Sequence, residues 1–152
     1  MQLLSALNAE HAALQGFVTL LEREQGMLLE NLTDPLLELS EKKSNDAVVL
    51  NRLAEQRRAL LLKYLPQLSA ESIRTCLRAQ CPQGLTIWEE IMALTERARR
   101  LNQTIGELIQ MKLRRNQQLL TALSKAANKA NLYGPNGQTS FSPGSGRSLG
   151  SG

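Results

Sequence analysis

Aromatic residues are scarce in this chain of 152 residues: two Phe, two Tyr and one Trp, 3% in all. Sheets draw on aromatic and β-branched side chains, so the scarcity argues against a β-built core. The 42% of residues that are hydrophobic are mostly Leu and Ala, which favours helices packed on helices. Ligands for metals are few as well. One imidazole, His11, and two thiols, Cys76 and Cys81, fall short of the four ligands that close a structural zinc site. The thiols stand five positions apart, on different faces of a helix, which makes a mutual disulfide geometrically poor. Free thiols fit a reducing cytoplasm. Also missing are a Gly-rich loop ahead of a helix, a nominated Ser, His and Asp set, and an apolar run near the roughly 18 residues of a membrane span. The N-terminus Met1-Gln2-Leu3-Leu4-Ser5-Ala6 lacks a basic signal-peptide region. These absences point to a soluble, cytoplasmic, non-enzymatic protein with no cofactor and no metal.

Charge is present but unevenly placed. The net value is +4, yet residues 1 to 34 hold Glu10, Glu22, Glu24, Glu30 and Asp34 against Arg23 alone. After Glu107 no acid remains, while Lys112, Arg114, Arg115, Lys125, Lys129 and Arg147 do. An acidic first helix and a basic end to the last would attract each other if antiparallel packing set them side by side, at about 0 to 1 kcal/mol per exposed pair.

Periodicity then marks the helices. Leu7, Leu14, Leu21 and Leu28 recur every seven residues, interleaved with Leu4, His11, Val18, Gln25 and Leu32, a heptad stripe that predicts a helix over about 2–32. His11 falls on this stripe as a satisfied or partly exposed seam residue. Asp34 is expected to cap a second helix, with Pro35 at its first position, running to about Tyr64. Its core side reads Leu36, Leu39, Lys43, Ala47, Leu50, Leu53 or Ala54, Arg57, Leu60, Leu61 and Tyr64. Its middle, residues 41–46, is polar almost all round and suggests a weakly packed section. Ser69 caps a short third helix with Ile73, Cys76 and Leu77 inward, and Cys81-Pro82-Gln83-Gly84 is expected to break it.

A final helix is expected from a Thr86 cap, with Glu89 completing the capping box, to Leu132. Those positions contain no Pro and only Gly106, so at about 1.5 Å per residue the helix would extend about 70 Å. Trp88 is expected in the core at one end, and Met27, Met92 and Met111 as gap fillers. The apolar stripe is Ile91, Leu94, Ala98, Leu101, Ile105 and Leu108, after which the same register would bury Lys112 and Arg115. A four-residue shift instead gives Ile109, Leu113, Asn116, Leu120, Leu123, Ala127 and Ala130, the signature of a stutter. Two registers imply two packing partners. The basic end has no interleaved aromatics for stacking on bases, and no Trp or Phe on its apolar side for a membrane surface. A solvated basic face is therefore favoured over nucleic-acid binding and over membrane insertion. From Tyr133 the chain holds six of its ten glycines and one charge, which predicts a flexible Gly/Ser/Pro-rich tail over 133–152 after a helical domain over 1–132.

Several stretches carry a resemblance to a known family. The Leu-rich acidic first helix, Glu55-Gln56-Arg57-Arg58-Ala59-Leu60-Leu61, Trp88, Asn102-Gln103-Thr104-Ile105-Gly106-Glu107-Leu108-Ile109 and Leu132-Tyr133-Gly134-Pro135-Asn136-Gly137-Gln138 resemble the FlgN-type flagellar export chaperones. The resemblance covers nearly the whole chain, and its specificity lies in the last two stretches. The helix pattern predicts an all-α fold, an elongated antiparallel three-helix bundle or coiled coil with a short connector helix, and the resemblance implies a cytoplasmic chaperone. Such a protein would bind C-terminal amphipathic helices of hook-associated, hook–filament junction proteins, prevent premature assembly and deliver them to the export gate and ATPase complex. The stutter places the client surface at Leu113, Asn116, Leu120, Leu123 and Ala127. The junction of helix and tail places export-gate docking at Leu132, Tyr133 and Gly134. The alternative is a structural coiled-coil adaptor that self-associates through the same exposed stripe, and a homodimer that seals its own apolar stripe is a separate option for the free protein.

Overall fold

A computed structural model describes residues 2–132, and the side chains of residues 2–129. The tail, with Tyr133 and Gly134, lies outside the described residues, and of Leu132 only the backbone is described. Four helices and no strand occur among the described residues: α1 (Gln2–Leu29), α2 (Asp34–Leu61), α3 (Ala70–Gln80) and α4 (Pro82–Leu132). The chain divides into two compact units, Met1–Leu108 and Ile109–Gly152.

Local chemistry sets the helix ends, and in three places it departs from the sequence expectation. α1 stops at Leu29 rather than near Leu32 because Asn31 adopts φ 60°, a left-handed cap that Asn tolerates. The Leu32 N–H then donates to the Met27 carbonyl at 2.9 Å and the Asn31 N–H to Leu28 at 3.3 Å, the paired bonds of a Schellman ending. α2 begins one residue early: Thr33 is its cap, without a side-chain hydrogen bond, so Asp34 is helical and contributes charge to the first turn instead of capping. The break expected at Cys81-Pro82-Gln83-Gly84 falls at Cys81, which separates α3 from α4, but α4 begins at Pro82 instead of at a Thr86 cap. Proline suits that position because its fixed φ is helical and its missing N–H needs no partner. Gly84 lets the turn press against α1, since a Cβ there would sit 3.0 Å from Leu7 Cδ1 and 3.2 Å from Cys81 Sγ. Thr86 is consequently an interior helical residue, and Glu89 faces Arg74 of α3 at 3.9 Å. α3 starts as expected, with Ser69 Oγ accepting from the Ser72 N–H and Ser72 Oγ accepting from the Ser69 N–H.

The first unit is a three-helix bundle closed at one end by α3. Leu3, Leu7 and Leu14 of α1 pack with Leu61 of α2, Ile73 and Leu77 of α3, Cys81, and Trp88 and Ile91 of α4. Further along, Val18, Leu21 and Leu28 pack with Ala98 and Ile105, flanked by Leu36, Leu94, Leu101 and Leu108. Early residues of α1 therefore meet early residues of α4, and these two helices run parallel, with α2 antiparallel to both. Trp88 is a core residue as expected, but Tyr64 is 52% exposed. The chain leaves α2 through bonds from Lys63 to Leu60 and from Tyr64 to Leu61, a tighter turn that carries the phenol off the seam. Met92 and Met111 are also exposed rather than filling gaps. Both cysteines are free and buried.

Two polar layers flank this apolar interior. Arg57 donates to both oxygens of Glu10, at 2.7 and 3.3 Å, and its guanidinium carbon lies 4.8 Å from the centroid of the Trp88 ring. In the second layer Lys43 donates to Asn102 Oδ1 at 2.8 Å and lies 3.2 Å from Glu24 Oε2. The Glu24 contact is an ion pair without hydrogen-bond geometry, and Glu24 Oε2 is buried with no hydrogen-bond partner. Glu10 and Glu24 are only 5% and 8% exposed. The polar middle of α2 is thus helical throughout and is tied down by Lys43 together with the Lys42–Asp46 pair. Glu10, Glu24 and Glu22, which bonds Arg97, find their partners before residue 109. Removing one member of a buried pair strands the other charge, at about 3–5 kcal/mol, whereas replacing both with apolar residues is near neutral. Glu10→Ala should therefore lower unfolding stability by about 3 kcal/mol, and Glu10→Leu with Arg57→Met by much less, as urea denaturation will show.

Candidate functional site

Helix periodicity brings the expected client residues onto one strip of the second unit. At about 100° per residue, Ile109, Leu113, Asn116, Leu120, Leu123 and Ala127 lie within an arc of about 80°. Their spacing of four and three residues is that of a coiled-coil seam. The structure brings Leu113, Asn116, Leu120, Leu123 and Ala127 together on α4, and all five are exposed. Leu113 is 52% exposed, Leu120 66% and Leu123 57%, and none of them joins either core cluster. The change of stripe after Leu108 coincides with the boundary between the two units.

The contrast with the preceding stretch of the same helix is physical. Ile91 and Ile105 are 1% exposed and Ala98 8%, so the first stripe is consumed by α1 and α2. The second contains three leucines of similar apolar area left to water. Leu119, 57% exposed, adjoins the seam and extends its apolar width to one side. Sequence reasoning passed over it, although its place one position before Leu120 on the stripe's edge was the available signal.

The cations of this stretch lie away from the seam. Arg114, Arg115, Lys125 and Lys129 project on the far side of the helix by the same geometry, while Lys112 flanks the stripe and is half-buried. Arg115, which an unbroken first register would bury, is exposed. Elsewhere, titratable groups form structural pairs. His11 Nε2 lies 2.7 Å from Glu90 Oε2, which satisfies the seam histidine. Hydrogen bonds from Arg99 and Arg100 hold the exposed Glu96 carboxyl at about 2, and Glu96 in turn raises Arg99. No group of three or more His, Cys, Asp or Glu among the described residues is placed to hold a metal. No helix among them is long and apolar enough to cross a membrane.

A helical bundle whose last helix carries an exposed heptad seam belongs to the class of all-α proteins. More narrowly, the chain belongs to the FlgN family: the family model described as FlgN protein matches residues 1–140. It is 39% identical over 93 residues to the flagella synthesis protein FlgN of Escherichia coli (strain K12), an alignment covering 60% of this chain and 64% of that relative. It is 34% identical over 102 residues to the flagella synthesis protein FlgN of Salmonella typhimurium, covering 66% of this chain and 71% of the relative. The match to the E. coli protein thus spans somewhat less than two thirds of that protein. No solved structure matches the chain.

Exposure separates residues kept for stability from residues available for binding. Leu120→Ser with Leu123→Ser should leave the stability of the first unit within about 0.5 kcal/mol of wild type, whereas Ile105→Ala should cost about 2–5 kcal/mol. Thermal unfolding followed by the fluorescence of the single Trp88 measures both.

Proposed function

We propose that this chain is a flagellar export chaperone that captures an amphipathic C-terminal helix of hook–filament junction proteins on Leu113, Asn116, Leu120, Leu123 and Ala127. The observation that carries this reading is the exposed heptad seam of the second unit, in a chain whose relatives are named for flagella synthesis. Capture is non-covalent: the client's apolar stripe covers the leucines, which removes from the client the surface it would use to assemble. Burial of each large apolar side chain contributes about 1.5–3 kcal/mol, from which the cost of association is subtracted. Three leucines therefore support reversible binding, in the range that an escort requires for release.

In the same reading Leu132, Tyr133 and Gly134 dock on the export gate or its ATPase complex. The sequence supports this role through an apolar and phenolic tag at the junction with a Gly-rich segment. The same seam closed by a second copy would make the protein a self-associating adaptor instead. Light scattering distinguishes the two, since a chaperone gives a one-to-one complex with its client helix and an adaptor a constitutive oligomer.

Leu120→Asp with Leu123→Asp is expected to reduce client pull-down by at least about tenfold while circular dichroism stays helical, because two ionised carboxylates cannot enter a desolvated seam. Unchanged capture by that helical variant would refute the placement. Tyr133→Ala should weaken gate binding and spare client binding in parallel assays. Loss of client binding with intact gate binding would reverse the two roles.

A further inference from the structure

On α4 the residues that receive the cations of α2 fall at a fixed interval. Trp88 lies beneath Arg57 and Asn102 accepts from Lys43. Trp88 and Asn102 are two heptads apart, and α2 steps back by the same two heptads from Arg57 to Lys43. Two further heptads along α4 is Asn116. The matching step back from Lys43 falls before Asp34, where α2 begins.

Asn116 is also the one polar residue among the seam positions 109, 113, 116, 120, 123 and 127. When a partner helix covers the seam, that amide loses water, and the loss is offset only if the facing side chain hydrogen-bonds to it. A single polar seam residue thereby dictates the register of its partner. Charged residues flanking a seam ordinarily share this task, but here the flanks are Gln110, Gln117, Leu119, Ser124 and Ala126, with Lys112 their single cation. Partner selection therefore falls on the amide layer.

We infer that Asn116 is the specificity-determining residue of the capture surface. It selects an amphipathic helix with apolar residues at heptad spacing and one hydrogen-bond donor, lysine being the donor already seen in the Lys43–Asn102 pair, at the layer facing Asn116. This rests on the proposed reading of the seam as a capture surface. The absence of a charge code on the flanks lets one seam accept several helices that share only this layer.

The test uses the full chain and two synthetic amphipathic peptides with leucine seams, identical except for Lys or Leu at one central seam position. Each is titrated by fluorescence anisotropy against wild type, Asn116→Leu and Leu120→Asp/Leu123→Asp. The ratio of Leu-peptide to Lys-peptide affinity should rise by about fivefold or more from wild type to Asn116→Leu, the equivalent of about one desolvated hydrogen bond. The same ratio in both chains overturns the inference. If binding is lost in Leu120→Asp/Leu123→Asp while the ratio ignores position 116, the capture reading stands and the inference alone falls. If wild type binds neither peptide, both fall.

Discussion

Register in this protein depends on burying carboxylates that must be paired. Glu10 and Glu24 sit in a leucine interior where an unpaired charge is costly, and each accepts one solution: Arg57 beside Trp88, and Lys43 beside Asn102. A heptad stripe is indifferent to sliding by seven residues, since leucine meets leucine in every such alignment. The two layers remove that freedom. Shifting α2 by one heptad would strand both acids at once. The Leu core supplies most of the driving force, and the polar layers choose which of several leucine alignments is adopted.

The same constraint explains why α4 is used differently along its length. Up to Leu108 its apolar residues face helices from its own chain, and Trp88 and Asn102 mark where α2 is pinned. From Ile109 the stripe follows a shifted register and is exposed, with Asn116 the polar residue among positions 109, 113, 116, 120, 123 and 127. In the proposed reading, a formed helix offers a partner preordered apolar surface, so less conformational entropy is lost on capture than if the helix had to fold at that moment. The chain belongs to the FlgN family, whose relatives are named for flagella synthesis.

Much of the architecture was legible because helix periodicity is a local property. Leu7, Leu14, Leu21 and Leu28 announced α1, Ile91, Ala98 and Ile105 announced the buried face of α4, and the change of stripe after Leu108 announced the seam. Helix ends were less legible, since they depend on details that composition does not show. Asn31 entered the left-handed region and ended α1 early. Gly84, which reads as a breaker, serves as a close contact with Leu7 and sits inside a helix. Leu119 escaped notice because a strict heptad template has no place for a flanking leucine.

Long-range partners were not legible at all. Sequence spacing put Arg57 and Lys43 on the inner side of α2 without saying that Glu10, Glu24, Trp88 and Asn102 would receive them. Local amphipathicity, read along one strand of text, determined the number of helices, their faces and the existence of two stripes on the last. Only the tertiary structure decided which acid meets which base and which stripe is spent on the chain's own core, because those choices belong to pairs of helices and are set by the cost of burying a charge without its partner.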